Sequence, residues 1–379
     1  MNPPLDPETL FEEGLQAYFA PLLVLAVLTV VVAKNLLVPR TVRKLFLYEI
    51  LLLSILLLAS WCDVVLEGFG DDGIAFYFRR VTTFISFAFS PLTSILAALL
   101  YRKRKMSKRD ILLALPEVVN IGLCVASLFY PLVFSISPNN VYKREILFLY
   151  PFVVNAFYAS VVVFYSAKQV DKPNLKLETI GVFILFGSVF AAVILELALK
   201  LRFLIWSTTI IVMAFYYAIL CYGFVIYDQL TGAYSRDGFR LTFQKKKAKD
   251  GVLAMIDLNG LKEINDKLGH EKGDQALANV SQILLDGKSK NSKLYRYGGD
   301  EFVLVAQKCD LQSIQVMLAK CEIDAGALEQ PLSFSYGVVE IHDGDDLYSQ
   351  LEKADVAMYE MKRGYKSDAK KKPISQFDL

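Results

Sequence analysis

The stretch KLYRYGGDEFVLVAQ, residues 293–307, decides the fold of the second half of the chain. Apolar and β-branched residues lie on both sides of Gly298-Gly299, and this pattern is typical of two strands joined by a tight turn. Asp300 and Glu301 follow the two glycines directly. Taken alone, such a hairpin with two solvated acidic side chains is an ordinary structural feature, so the segments around it must decide its meaning.

The flanking segments predict an α/β domain. VLAMID at 252–257 has the composition of a buried strand, and helical spacing begins near Asp274. A helix is predicted at 311–326, a strand at 332–341 and a last helix at 347–364. Strand, helix, hairpin, helix and strand in this order are typical of the ferredoxin-like, palm-type α/β sandwich.

Acidic residues occur where this fold ends its central strands. Asp257 closes the strand at 252–257, and Asp300 and Glu301 follow the hairpin turn. If the two strands are neighbours, the carboxylates lie together, and clustered carboxylates are costly without a cation. Mg²⁺ prefers such hard oxygen ligands and often brings substrate phosphates with it. The sequence therefore predicts a magnesium and phosphate site at the strand ends.

The composition of the whole chain excludes several classes of protein. It has 379 residues, of which 54% are hydrophobic, and a net charge of +2. So small a net charge argues against a nucleic-acid binder, which usually has a strongly basic face. The five cysteines are far apart and the only histidines are His270 and His342, which excludes a disulfide framework and a zinc site. A sensor histidine kinase is excluded because no histidine precedes His270.

The first part of the chain differs from the second in its long apolar runs. A hydrocarbon core of about 30 Å needs roughly 20 apolar residues in a helix, so each run can cross a bilayer. The sequence thus predicts an all-α transmembrane bundle of seven helices. A soluble helical bundle is disfavoured because its helices would keep a polar stripe. The runs cover 17–33, 45–61, 81–101, 111–130, 146–167, 179–199 and 204–226.

The loop charges predict the orientation of these spans. Basic residues concentrate in the loops 34–44, 102–109 and 168–178. Because cytoplasmic loops carry an excess of Lys and Arg, the N-terminus is predicted outside and the chain after Tyr227 in the cytoplasm. The location is therefore the cell (inner) membrane. The first residues are acidic and lack the basic region of a secretory signal, so the first span is expected to be retained.

Five segments of the second half share one further property. They are DQLTGAYSR (228–236), IDLNGLKEINDKLGHEKGDQAL (256–277), RYGGDEF (296–302), SYGVV (335–339) and ADVAMYEMK (354–362). In this order they resemble the motifs of the GGDEF family of diguanylate cyclases. The resemblance covers about 228–367 and leaves the predicted membrane half unexplained. The predicted domains are accordingly a sensory region at 1–227, a cyclase at 228–370 and a flexible tail at 371–379.

The resemblance implies an activity, cofactors and partners. Two GTP molecules would condense into cyclic di-GMP with release of two pyrophosphates. Each domain would hold one GTP, so a homodimer would be required, and Mg²⁺ or Mn²⁺ would be the cofactor. The membrane half would contact lipid and respond to an unknown small-molecule or protein signal. No nucleic acid is expected as a partner.

The resemblance also implies roles for single residues. Asp300, Glu301 and Lys262 would be catalytic, with Asp300 deprotonating the 3′-hydroxyl and Lys262 stabilising charge. Other residues match the family's positions that bind the guanine base, contact the substrate through a histidine, or bind the triphosphate. The metal ligands would be Asp257, Asp300, Glu301 and the main-chain carbonyl of Leu258. The substrate-binding residues would be Asn265, His270, Asp274, Lys362 and Lys366.

Two single residues and one motif depart from the family pattern, in addition to Ser235, which replaces an asparagine of the first segment. Asn259 replaces a second acid, and Lys366 replaces an arginine whose planar fork binds phosphate better than an ammonium does. The family's product-inhibition motif RxxD is replaced by the four residues 289–292, SKNS, so no feedback inhibition is predicted there. The alternatives are a catalytically inactive receptor for GTP or cyclic di-GMP, and a membrane transporter or receptor with a structural cytoplasmic domain.

Overall fold

The computed structural model describes residues 6–70, 73–102, 114–167, 173–199, 204–243 and 249–369. The chain divides into two compact units, Met1–Cys221 and Tyr222–Leu379. The finer domain boundaries at 227/228 and 370/371 stay predictions. The predicted flexible tail at 371–379 lies outside the described residues.

Long helices make up most of the first unit. Five of them, α1, α2, α3, α6 and α7, are long and apolar enough to cross a membrane. At 1.5 Å per residue the 28 residues of α1 extend about 42 Å, more than the hydrocarbon core. The helices are α1 Pro7–Lys34, α2 Arg40–Glu67, α3 Gly73–Arg102, α4 Leu115–Ala126, α5 Tyr150–Ala167, α6 Pro173–Leu199 and α7 Leu204–Ile226.

The other two predicted spans form shorter helices. The run at 111–130 gives α4, whose 12 residues extend about 18 Å, too short to cross a bilayer alone. The run at 146–167 gives α5, whose apolar part is Tyr150–Tyr165. Between them lies an antiparallel hairpin, β1 (Phe134–Ile136) and β2 (Tyr142–Arg144), which the sequence did not predict.

The second unit is an α/β domain with a four-stranded antiparallel sheet. The strand order is β4-β5-β3-β6, which is the ferredoxin-like order and confirms the prediction. An extra helix, α9, precedes α10, which begins at His270 rather than near Asp274. The elements are α8 Arg236–Phe243, β3 Gly251–Leu258, α9 Leu261–Leu268, α10 His270–Gly287, β4 Ser292–Arg296, β5 Glu301–Gln307, α11 Leu311–Gly326, β6 Phe334–Ile341 and α12 Leu347–Ala369.

The central strand β3 is buried on both faces. Because side chains alternate along a strand, its even-numbered residues Val252, Ala254 and Ile256 join one hydrophobic cluster with α10 and α11. The odd-numbered residues Leu253 and Met255 join a second cluster with α8 and α12. Asp257, the next odd-numbered residue, therefore belongs to the face of the sheet that α12 covers.

Candidate active site

The register of β3 and β5 brings the predicted carboxylates together. Asp257 is paired with Glu301 across the two strands. The backbone N–H of Leu258 donates to the carbonyl of Asp300 at 3.0 Å, which ties the end of β3 to the hairpin turn. Asp257 is only 4% exposed, whereas Asp300 and Glu301 are partly exposed. The three acidic residues thus meet at one end of the sheet.

Lys362 reaches the same place from α12. Its Nζ lies 2.5 Å from Oδ1 of Asp257, forming an ion pair. The residue continues the stripe of α12 that includes Leu351, Ala354 and Met358, which packs on the α12 face of the sheet. Because residues four apart lie on the same face of a helix, Lys362 lies one turn beyond Met358 on this face, at the end of the strand.

The first glycine of the turn leaves room for the side chain of Glu301. A Cβ at Gly298 would overlap the carboxylate of Glu301. The carbonyl of Glu301 accepts from the N–H of Tyr297 at 2.8 Å and from that of Gly298 at 3.2 Å. The turn therefore folds back over its own acidic residue, and a larger residue at Gly298 would require the carboxylate of Glu301 to shift.

The carboxylates repel one another. The pKa of Glu301 is raised above its ordinary value, first by burial and then by the negative charges of Asp257 and Asp300. The ammonium of Lys362 opposes this effect and lowers the pKa. A second cation at the strand ends would relieve the same repulsion.

The donor chemistry at the strand ends fits a divalent cation. The oxygens of Asp257, Asp300 and Glu301 are hard ligands of the kind that Mg²⁺ prefers. Among the described residues no three acidic, histidine or cysteine side chains are already arranged around a metal position. The ammonium of Lys362 occupies the position beside Asp257 where a metal ion would bind. Metal binding therefore requires the side chains of Lys362 and Asp257 to move apart.

The predicted guanine-reading residues lie at the corner between α9 and α10. A Cβ at Gly273 would overlap the amide oxygen of Asn265, so this glycine lets the Asn265 side chain approach the first turn of α10. His270 and Asp274 belong to that turn and are exposed, as is Lys262 on α9. The described contacts do not join this group to the carboxylates. The side chain of Lys366 lies outside the described residues.

Asn259, which replaces the family's second acid, has hydrogen-bond partners on β6 and just before it. Its side-chain oxygen accepts from Oγ of Ser335 at 3.1 Å, and its amide nitrogen donates to Oγ of Ser333 at 3.4 Å. An amide can accept and donate at once, whereas an ionised carboxylate can only accept. The two serines therefore explain why an amide is tolerated at this position.

An ion pair that the sequence did not predict supports the turn. Arg296 Nη1 lies 3.1 Å from Oδ1 of Asp228, and its Nη2 donates to the carbonyl of Gly299 at 2.8 Å. Oδ1 of Asp228 also accepts from the backbone and hydroxyl of Thr231. The first and third resembling segments are thus joined through one guanidinium. Both residues lie in segments that resemble the family's motifs, and this was the only indication of their importance in the sequence. The spacing of the two residues along the chain did not predict that they form an ion pair.

The residues in place of the product-inhibition motif close a small turn. Oγ of Ser289 lies 2.7 Å from Oγ of Ser292, and the Nζ of Lys288 donates to the carbonyl of Ser292 at 3.0 Å. Burial lowers the pKa of Lys288. Ser292 is 2% exposed. The hydroxyls of Ser289 and Ser292 are neutral, so they do not replace the charged arginine and aspartate of the family motif.

The second unit thus has a ferredoxin-like α/β fold, with three carboxylates and the ammonium of Lys362 at the ends of β3 and β5. Residues 225–368 match the family model described as "Diguanylate cyclase, GGDEF domain". The α/β domain of the chain is therefore similar to the GGDEF domains of this family.

The chain is also similar to curated diguanylate cyclases. Diguanylate cyclase VdcA of Vibrio cholerae is 31% identical over an alignment of 152 positions, and the match covers 36% of this chain and 44% of the relative. Diguanylate cyclase DosC of Escherichia coli is 33% identical over an alignment of 117 positions, and the match covers 29% of this chain and 25% of the relative. The chain therefore spans less than half the length of these curated relatives.

Among solved structures, the chain is similar to the GGDEF domain of DgcB from Caulobacter crescentus in complex with c-di-GMP. The identity is 24% and the TM-score is 0.34. The match covers 37% of this chain and 91% of that one.

Proposed function

We propose that the protein is a membrane-bound diguanylate cyclase, which condenses two GTP molecules into cyclic di-GMP. In each of two steps a 3′-oxygen attacks an α-phosphorus, the bond between that phosphorus and the α,β-bridging oxygen breaks, and pyrophosphate leaves. The 3′-hydroxyl gives up its proton as the new bond forms. The observation that carries the proposal is the meeting of Asp257, Asp300, Glu301 and Lys362 at the ends of β3 and β5.

Each residue at the strand ends has a proposed task. Asp257, Asp300, Glu301 and the carbonyl of Leu258 would hold Mg²⁺ or Mn²⁺. When bound, the cation would stabilise the charge that develops on the phosphate and ease loss of the hydroxyl proton. Asp300 would accept that proton. Exposed Lys262 would stabilise negative charge on the nucleotide.

The remaining predicted residues would select and orient GTP. Asp274 can accept from guanine N1–H and N2–H₂, and the amide of Asn265 can donate to N3 or O6. His270 would contact the substrate from the same corner. Lys362 and Lys366 on α12 would bind the triphosphate, and Lys362 already stands at the carboxylates. Catalysis would then come from positioning and electrostatics.

The reaction requires two copies of the domain. Each would hold one GTP, and the 3′-oxygen of each nucleotide would attack the α-phosphorus of the other. The two sites must therefore face each other, which makes a homodimer part of the proposed function. Whatever changes the angle between the two domains would change the rate.

The helical unit would anchor the cyclase as a multi-pass protein of the cell (inner) membrane and regulate it. The sequence indicates seven spans, while five helices of the described part of the chain have the length and apolarity to cross alone. Both counts are odd, so with the N-terminus outside the GGDEF domain lies in the cytoplasm. Helix α7 ends at Ile226 and the GGDEF motifs begin at Asp228, so a shift of α7 would reach the catalytic domain without an intervening stalk. Inserting four or five residues after Tyr227 should abolish the response to signals.

The test is to incubate the purified full-length protein with labelled GTP and Mg²⁺. The proposal expects cyclic di-GMP and two pyrophosphates per product, and no product from Asp300→Ala. An inactive receptor would bind the nucleotide without turning it over. Unchanged activity in Asp300→Ala would also contradict the assigned roles.

A further inference from the structure

The helical unit contains a polar cavity of about 340 Å³. It lies where α2 ends and α7 begins, beside the β1–β2 hairpin. Its size is at the lower end of the range for small-molecule sites. The residues that give it polar and aromatic character are Asp63, Glu67, Arg79, Tyr142, Glu196 and Trp206.

The basic residue of the cavity is already neutralised. The side chain of Arg79 is 4% exposed; its Nη2 lies 3.3 Å from Oε2 of Glu67 and its Nε lies 3.6 Å from Oδ1 of Asp63. Nη1 donates to the carbonyl of Asn140 at 2.5 Å. The guanidinium is therefore engaged by the protein and balances only part of the negative charge around it.

A third carboxylate leaves the cavity with an excess of negative charge. Oε2 of Glu196 accepts from the backbone N–H groups of Leu204 and Ile205 at 3.1 and 3.0 Å. These are the first residues of α7, so Glu196 caps that helix and its charge is favoured by the helix dipole. Asp63 is similarly fixed by a 2.6 Å bond from the hydroxyl of Thr83. Three carboxylates and one guanidinium line the cavity, so its lining has an excess of negative charge and attracts a cation.

Aromatic rings and unsatisfied polar atoms complete the cavity. Phe87, Tyr142 and Trp206 line it together with the acids. Within the described part of the chain, the buried Nε of Arg79 and hydroxyl of Tyr142 have no hydrogen-bond partner. A buried polar atom without a partner is costly, so these atoms indicate that a further molecule, water or ligand, enters here.

We propose that this cavity is a binding site for a small organic cation of the alkylammonium class. Carboxylates supply opposite charge, and the faces of aromatic rings attract ammonium groups, best when the ring is that of tryptophan. A hydroxyl without a partner can accept from an ammonium N–H. The carboxylates are held by Thr83, Arg79 and the start of α7 and share the wall with rings, an arrangement that suits a bulky cation more than a bare metal ion.

The ligand would act on the first turn of α7. Trp206 and the cap from Glu196 both belong to the beginning of this helix, which continues to Ile226. A cation beside Glu196 would weaken or redirect the cap and so shift the equilibrium position of α7. This inference goes beyond the proposed cyclase activity, because binding can be measured whether or not the protein turns over GTP.

The experiment is calorimetric titration of the full-length protein in lipid nanodiscs with choline and with putrescine. Glu196→Gln removes one charge but keeps an oxygen that can accept from Leu204 and Ile205, so the fold should survive. The matched control is Glu13→Gln, an exposed residue of α1. We expect saturable binding of at least one cation, weakened about tenfold or more by Glu196→Gln and unchanged by Glu13→Gln.

Other outcomes would overturn the assignment. They are failure of both amines to bind, equal binding by wild type and Glu196→Gln, and displacement of the amine by equimolar MgCl₂ or CaCl₂, which would assign the cavity to a metal ion. Should Glu196→Gln fail to fold, Trp206→Leu serves as the second variant, and unweakened binding by it would equally contradict a ring-bound ammonium.

Discussion

The ammonium of Lys362 lies 2.5 Å from a carboxylate oxygen of Asp257, a residue that is 4% exposed at the end of the central strand. The two residues have different proposed tasks, one at the triphosphate and the other at the metal. Without a nucleotide, their ion pair keeps a buried negative charge balanced. When GTP and a cation arrive, Lys362 can exchange its carboxylate partner for phosphate while the cation takes over at Asp257.

Lys362→Met should strongly reduce activity. The change leaves Asp257 buried without its cation and removes a phosphate contact, and breaking a buried ion pair costs up to about 3–5 kcal/mol. We expect kcat/KM for cyclic di-GMP synthesis to fall at least about a hundredfold. Lys353→Met, at an exposed position of the same helix, is the control and should stay within a factor of about two. Equal loss in both variants would indicate a general effect on α12 instead.

Substitutions at Asp257 and Asn259 should have different effects on cyclase activity, although the two residues are close in sequence. Asp257→Asn removes a proposed metal ligand, so cyclase activity should become undetectable. Asn259→Asp should leave the rate within about threefold, because Ser335 can still donate to the new carboxylate and only the weaker contact to Ser333 is lost. The initial rates of both variants with Mg²⁺ check this. A large increase in the initial rate of Asn259→Asp would contradict this prediction and would show that the amide weakens the metal site.

Arg296→Lys should loosen the hairpin turn. An ammonium cannot bridge Asp228 and the carbonyl of Gly299 as the guanidinium does. We expect about a tenfold lower kcat with the thermal transition almost unchanged, because the sheet itself does not depend on this contact. Arg240→Lys, at an exposed position of α8, should have no effect. An unaltered kcat in Arg296→Lys would show that the ion pair does not position the acids.

The fold of the second unit could be predicted because local patterns and global packing agree. The strand at 252–257, the hairpin around Gly298 and the later helix and strand all appear close to their predicted limits. The alternation along β3 even explains why Asp257 faces α12. In the helical unit, apolar composition alone did not determine the lengths of the helices. The hairpin formed by β1 and β2 lies between two apolar runs and has no strand pattern that the sequence analysis recognised. The end of α4 at Ala126 is likewise known only from the structure.

Long-range contacts at the site were not predictable from spacing. The carboxylate cluster follows from two adjacent strand ends, which the sequence indicates. The contacts of Lys362 with Asp257 and of Arg296 with Asp228 join residues 105 and 68 positions apart, and they depend on how α12 and the first segment pack. Likewise, the partners of Asn259 lie on or next to β6 and could be named only after the sheet register was known.

Glu301→Gln should stabilise the domain at neutral pH. The pKa of Glu301 is raised in the folded protein, so its ionised form opposes folding, and this cost appears as pH rises above the ordinary glutamate pKa of about 4.3. Like charges directly opposite across strands cost roughly 0.2–1 kcal/mol. Calorimetric unfolding of the full chain should therefore show a higher transition for Glu301→Gln at pH 7, and no difference near pH 4. Exposed Glu340→Gln is the control, and a destabilised Glu301→Gln at pH 7 would be inconsistent with this balance.

Added cyclic di-GMP should not inhibit the enzyme through residues 289–292. The serine turn there offers no guanidinium for a cyclic dinucleotide phosphate, and Ser292 is buried. Initial rates with and without product measure this directly. Inhibition by submicromolar product that disappears in Ser289→Ala would contradict the prediction.

The most direct test of the account is a Mn²⁺ titration followed by electron paramagnetic resonance, with a non-hydrolysable GTP analogue and the full-length protein. If the acids at the ends of β3 and β5 hold a cation against the triphosphate, wild type should bind Mn²⁺ tightly only with the analogue present. Asp257→Asn should lose that binding. Nucleotide binding that leaves Mn²⁺ free in solution, or equal Mn²⁺ binding by Asp257→Asn, would contradict the account.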